Sequence, residues 1–154
     1  MMEIKLLEQD PALIRTISEW HQAQWGHLSS RNTQDRIAEF AEHGATVPLT
    51  LVADLDGAPI GTASLLAEDM DIHKELSPWL ASVYVLPEHR SRGFGTQLVQ
   101  GIVTEAQRLE VGAMYLYTED RAGFYAAMGW QELETRKYHG EDITIMKLEL
   151  AAGG

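Results

Sequence analysis

The stretch between Trp79 and Tyr117 constrains the fold more than any other part of this chain. Residues 79–85 form an apolar, β-favouring run that ends before Pro87, because proline cannot donate a ladder hydrogen bond. A turn of arginine and glycine follows, Arg90-Ser91-Arg92-Gly93-Phe94-Gly95. Beyond it Leu98, Ile102, Val103, Ala106 and Leu109 recur at helical spacing, and Gly112 stands where it would cap that helix. Residues 113–117 then make a second short strand. A strand, a helix and a strand in this order form a crossover unit. Its strands lie parallel, and its helix covers one face of the sheet in the right-handed sense.

The rest of the chain supplies partners for that unit. A strand is expected at residues 3–7, then a helix opened by Asp10 as N-cap and Pro11 in the first turn. That helix places Leu13, Ile14, Ile17, Trp20 and Trp25 on its apolar side and stops at Gly26. A second helix is expected over residues 33–42, burying Ile37, Phe40 and Ala41 and ending near Gly44. Residues 49–55 and 59–66 flank Asp56-Gly57, the strongest short signal for a hairpin. Residues 68–77 are polar and acidic and read as a loop or short helix closed by Pro78. Asp120 is placed to cap a short helix over residues 121–128, which Gly129 would end. Strands near 130–138 and 143–150 close the chain, with His139 and Asp142 in the polar turn between them. The predicted order is β-α-α-β-β-β-α-β-α-β-β. This is an α/β fold with a central mixed sheet and helices on both faces.

A length of 154 residues, 45% of them hydrophobic and 23% charged, suits one globular domain over residues 1–150. Residues 151–154 read as a disordered tail. The chain has no cysteine, so it has no disulfide framework, thiolate metal site or cysteine nucleophile. Its 6 histidines are scattered without ligand spacing, and no metal is expected. No apolar run approaches the ~20 residues of a membrane span, and the N-terminus is acidic. A soluble, cytoplasmic protein without membrane association is the expectation. Twelve basic against 23 acidic side chains give a net charge of −11, which argues against a nucleic-acid partner and favours a cationic one by steering.

Against that acidic background, Arg90 and Arg92 concentrate positive charge at a helix start whose backbone N–H groups have no partner within the helix. Gly93 and Gly95 let a phosphate approach the backbone. A P-loop would need a lysine after the glycine, but Thr96 and Gln97 follow Gly95. The dinucleotide fingerprint would need a third glycine where Leu98 stands.

Val85, Arg90, Gly93 and Gly95, within SVYVLPEHRSRGFGTQLV, resemble the signature of the GNAT superfamily of acyl-CoA-dependent N-acyltransferases. In that signature a strand ending in Val precedes Arg or Gln, two residues, Gly, one residue, and Gly or Ala. Phe124, Tyr125, Gly129 and Trp130 resemble its second signature, a short helix carrying Tyr and followed by Gly and an aromatic residue. Together with the preceding elements, the resemblance covers nearly the whole chain.

This resemblance implies a splayed central sheet and acetyl-CoA as cosubstrate. The pantetheine arm would pair with the backbone of Val83, Tyr84 and Val85, and the Val83 N–H would polarise the thioester carbonyl. The pyrophosphate would lie over Arg90, Ser91, Arg92, Gly93, Phe94, Gly95 and Thr96. Tyr125 matches the general acid that protonates the departing thiolate. Thr118 stands seven residues before Tyr125, where the family often has an Asn on the pantetheine.

The acceptor implied is a primary amine, of a small molecule or of a peptide or protein, attacking the thioester directly. An amine is mostly protonated at neutral pH, so a base or water relay must deprotonate it. Glu68, Asp69, Asp71, His73 and Ser82 are the candidates. Asp69 and Asp71 could equally bind a cationic amine, and His21 and Trp25 could line its pocket. Two alternatives stay open: a non-catalytic acyl-CoA-binding or regulatory module, and a nucleotide-phosphate-binding protein. The antiparallel C-terminal strands offer an edge for pairing, compatible with a monomer or a homodimer.

Overall fold

Two tight turns organise the antiparallel parts of the sheet. Asp56 and Gly57 take φ of 52° and 90°, and His139 and Gly140 take 49° and 82°. Successive left-handed residues match a two-residue hairpin loop to the twist of the strands it joins. The computed structural model describes residues 1–150 of the chain, so the tail expected at 151–154 lies outside the described residues.

Its elements are β1 (Met2–Leu6), α1 (Pro11–Trp25), α2 (Thr33–Phe40), β2 (Leu49–Leu55), β3 (Ala58–Leu66), β4 (Trp79–Val85), α3 (Phe94–Arg108), β5 (Ala113–Thr118), α4 (Ala122–Ala126), β6 (Gln131–Tyr138) and β7 (Glu141–Glu149). They form a 7-stranded sheet in the order β1-β2-β3-β4-β5-β7-β6. Every neighbouring pair is antiparallel except β4 and β5. This is the mixed sheet and element order expected above.

Strand alternation divides the core. Leu49, Leu51 and Ala53 of β2 join Leu98, Val99, Ile102 and Ala106 of α3 in one cluster. Val52, between them in sequence, packs instead with Ile14, Ile17 and Phe40 of α1 and α2. Burial of a side chain such as Leu98 or Ile102 contributes roughly 1.5–3 kcal/mol. The α3 face comes so close at Gly61 that an added Cβ would stand 2.6 Å from the Tyr84 carbonyl oxygen and 3.1 Å from Leu98 Cδ1. The opposite face buries hydroxyls, which are paired: Thr50 Oγ1 lies 2.7 Å from Ser64 Oγ and 2.7 Å from His43 Nδ1.

Several local expectations are corrected. Helix α2 ends at Phe40, leaving Ala41 exposed, and Arg36 is the residue buried beside Phe40. Helix α3 ends at Arg108, four residues before Gly112. Glu110 takes the left-handed position with φ 61°, and Val111 N–H reaches back to the Ala106 carbonyl at 2.9 Å, so the helix is closed without a glycine. Asp120 does not cap α4; the Thr118 hydroxyl accepts the Arg121 N–H at 3.0 Å. Residues 67–78 take the loop form, one of the two that the sequence left open.

The parallel pair shapes the site. Strands β4 and β5 are in register only at Trp79 and Tyr115, where the Tyr115 N–H also reaches the Pro78 carbonyl at 3.0 Å. From there β5 stays paired with β7 through Thr118, while β4 stays with β3 through Val85. The strands diverge, and the β5-facing edge of β4 is left without a ladder partner.

Candidate active site

The fourth strand bends just where it loses that partner. The β3–β4 register passes from Thr62 opposite Tyr84 to Ser64 opposite Ala81, leaving Ser82 and Val83 in a bulge, with Ser82 at φ 55°. The Thr62 hydroxyl donates to the Ser82 carbonyl at 3.0 Å, and His21 Nε2 lies 2.8 Å from the same hydroxyl oxygen. Because that hydroxyl's proton points at the carbonyl, Nε2 carries a hydrogen and donates. His21 is 1% exposed. Burial, reinforced by Arg36 and Arg31, pushes its pKa down to about 3, so the ring is neutral. Helix α1 turns this histidine into the core, where it supports the bulge, and it does not line the main cleft; Trp25 does.

The diverging strands enclose a cavity of about 660 Å³. At one end Ser91 (φ 63°) and Gly93 (φ 82°) shape the turn into α3. Gly93 is the N-cap without a side-chain cap, and the first helical bond is Gln97 N–H to the Gly93 carbonyl at 3.1 Å. The N–H groups of Phe94, Gly95 and Thr96 therefore have no partner within the helix, and all three residues line the cavity. Such a nest of backbone donors suits an anion. Arg90 lines it too, with Nε donating to the Val85 carbonyl at 2.7 Å and its guanidinium 5.5 Å from the Tyr84 ring centroid. Arg92 turns aside, over the Phe94 ring at 5.1 Å and against His89 Nδ1 at 3.2 Å. Arg121 joins the lining instead, 4.8 Å over Phe124.

Val83, Tyr84, Val85, Thr118 and Tyr125 line the middle of the cavity. Tyr125 is 8% exposed and is held edge-on by Phe124 and Trp130, with ring centroids 5.0 and 6.0 Å away. Burial pushes its pKa up to about 12, partly opposed by Arg121, so the phenol keeps its proton at neutral pH.

At the other end stand Trp25, Arg31, Arg36, Asp69, Ser82 and Tyr117. Of the acidic-loop candidates, Asp69 alone lines the cavity. Glu68 pairs with Lys74 at 2.7 Å. Asp71 accepts from His139 Nε2 at 3.0 Å, and its N–H donates to the Tyr138 hydroxyl at 2.9 Å, away from the cleft. His73 sits between Glu134 at 2.9 Å and Glu75 at 3.2 Å. Burial pushes the Asp69 pKa up to about 7 against the opposing pull of Arg31 and Arg36. Burial and the neighbouring Asp69 both push Tyr117 upward.

Sequence reasoning missed Arg31, Arg36, Tyr117 and Arg121. Arg36 had a readable signal, since it stands four residues before Phe40 and so shares its helix face. Arg31 Nη1 is paired with Glu39 Oε1 at 2.6 Å. Exposed His27, Glu119 and Glu141 bring ligand-type atoms within 4.8 Å of one another, but His27 and Glu119 already pair at 3.0 Å. Among the described residues, no helix is long and apolar enough to cross a membrane.

The sequence profile of the acetyltransferase (GNAT) family matches residues 14–130. The fold is similar to that of the Salmonella typhimurium protein yncA with its cofactor acetyl-CoA, with a TM-score of 0.77 and 21% identity over 98% of this chain and 95% of that one. It is also similar to an aminoglycoside 6'-N-acetyltransferase complexed with coenzyme A, with a TM-score of 0.79 and 13% identity over 97% of each chain. An N-acetyltransferase from Staphylococcus aureus Mu50 gives a TM-score of 0.76 and 16% identity over 98% of this chain and 99% of that one. No curated protein matches the chain in sequence.

Proposed function

The chain belongs to the GNAT acetyltransferase family, and from that premise we propose that it transfers the acetyl group of acetyl-CoA to a primary amine by direct attack. The observation that carries this reading is the unpartnered edge of β4, which runs from the bulge at Ser82 and Val83 toward the N–H nest at the start of α3. An extended arm with amides along its length and a pyrophosphate at its end fits that track.

In this reading the N–H groups of Phe94, Gly95 and Thr96 hold the pyrophosphate, with Arg90 and Arg121 adding charge. The backbone of Val83, Tyr84 and Val85 pairs with the pantetheine arm, which requires Arg90 to release the Val85 carbonyl. Thr118 has a hydroxyl proton to offer, because its oxygen only accepts from Arg121 N–H. The Val83 N–H polarises the thioester carbonyl as the amine attacks. Asp69, poised near neutrality, takes the amine's proton, and Tyr125 gives one to the sulfur as the C–S bond breaks.

The test is an amine-library screen following thiol release from acetyl-CoA, run beside a thermal-shift titration with the same compound. Stabilisation together with turnover of an amine supports the proposal. Stabilisation without turnover of any amine would favour an acyl-CoA-binding module instead.

A further inference from the structure

Arg36 presents an anomaly that the transfer chemistry does not use. The residue is 5% exposed and forms no ion pair among the described residues. Its Nε donates to Gln22 Oε1 at 2.9 Å, and its buried Nη2 has no partner. A buried guanidinium without a carboxylate is costly, because the one bond to Gln22 returns only part of the lost hydration. Arg31 beside it is neutralised by Glu39, so Arg36 brings the uncompensated positive charge to this end of the cavity. Asp69 lines the same cavity without pairing with Arg36, among the described residues. A guanidinium and a carboxyl group therefore line the same end of the cavity with no ion pair between them among the described residues. That is the complement of a molecule carrying an ammonium and an anion a few bonds apart.

We propose that the acceptor is an amine bearing a carboxylate, a free amino acid or a close analogue, whose carboxylate docks on Arg36 while its amine lies toward Asp69. Gln22 occupies the Nε side of the guanidinium and Nη2 is buried without a partner, so a planar, two-oxygen anion that engages the Nη nitrogens supplies the acceptor this buried donor lacks. The inference rests on the acetyl-transfer reading of the cleft. Asp69 takes one proton from the ammonium, the freed nitrogen bonds to the acetyl carbon, the C–S bond breaks, and the sulfur takes the Tyr125 proton. The second proton that the nitrogen sheds as the amide forms returns to the Tyr125 phenolate, so that only Asp69 ends protonated and passes its proton to solvent. The products are an N-acetylated acid and free thiol. The protein's net charge of −11 would repel a plain anion at long range, whereas a zwitterion is neutral overall.

The experiment presents acetyl-CoA with free amino acids, the corresponding α-amides, aminophosphonates and simple diamines. It follows thiol release, and in parallel measures binding of the same compounds to the coenzyme A-bound protein by calorimetry. The expected result is a KM for the best amino acid at least about tenfold below that of its amide. Arg36→Gln and Arg36→Lys should both erase this preference by raising KM for the acid at least about tenfold more than KM for the amide, while the acetyl-CoA thermal shift stays close to wild type. The lysine variant keeps the charge and loses the fork, so loss of preference in it separates recognition from net charge. Equal use of acids and amides, a stronger preference for phosphonates or diamines, or a preference that survives in Arg36→Gln would overturn the proposal. Acid-selective, Arg36-dependent binding without turnover would support this subsite and overturn the transfer reading. Turnover without acid selectivity would do the reverse.

Discussion

Thr62 donates its hydroxyl proton to the Ser82 carbonyl across 3.0 Å and thereby ties the third strand to the residue at which the fourth one bends. The same oxygen accepts from His21 at 2.8 Å. Thr62→Val would keep the shape and leave both the carbonyl and the imidazole N–H unpaired in the core. Each buried unsatisfied group costs about 1–3 kcal/mol. A clear drop in Tm is expected, with a lower kcat because Val83 follows the bent residue. Wild-type Tm and turnover would show that the bulge holds without this bond.

The buried His21 makes stability acid-sensitive. Its pKa is about 3 in the folded protein against an ordinary 6.5, so between those values the unfolded chain binds a proton that the native state refuses. Stability therefore falls as pH drops from about 6.5 toward 3. Urea midpoints at pH 7 and 4.5 should show a larger loss for wild type than for His21→Gln, by roughly 2–3 kcal/mol. Equal losses would mean that His21 is protonated in the native protein.

Asp69 works in the opposite sense. Its folded pKa of about 7 lies above the ordinary 3.8, so the native state holds a proton that the unfolded chain releases between these values. Its contribution to stability declines as pH rises from about 4 to 7, and Asp69→Asn should gain stability relative to wild type over that range. If Asp69 is the base, kcat/KM rises with pH through about 7 in wild type. In the Asn variant it should be lower by about 10²-fold or more, with that rise gone. A rise that persists in the variant would assign the base elsewhere.

Tyr125→Phe should lower kcat by about 10²-fold while the acetyl-CoA thermal shift stays close to wild type, since the ring still packs against Phe124 and Trp130. Unaltered turnover would mean that water or another group protonates the thiolate.

Acetyl-CoA at about 100 times its dissociation constant should stabilise the protein by roughly 2.7 kcal/mol. Gly93→Val should abolish that shift. A β-branched residue resists the φ of 82° that shapes the nest, so the variant's own Tm should fall as well. The decisive quantity is the difference with and without ligand, and a full shift in the variant would place the pyrophosphate elsewhere.

The parts of this protein legible from sequence are those whose causes act within a few residues. Asp56-Gly57 makes its hairpin, Asp10 and Pro11 start α1, and the spacing from Leu98 to Ala106 makes α3, because φ preference, capping and periodicity are local properties. The nest at Gly93 was legible for the same reason. Local rules failed where two residues competed for one role, as when Glu110 rather than Gly112 closed α3 and Thr118 rather than Asp120 anchored the turn into α4. The acceptor end was decided by tertiary structure alone. Asp69 and Asp71 are two residues apart in the same acidic loop, yet one lines the cavity and the other pairs with His139, 68 positions along the chain. Arg36 is polar by composition, and only the docking of α2 against α1 and the sheet buries it beside the cleft. The bend at Ser82 depends on Thr62 and His21, which come from another strand and from α1. Burial, a shifted pKa and an unpaired charge are properties of a packed environment, and that environment exists only once distant segments have come together.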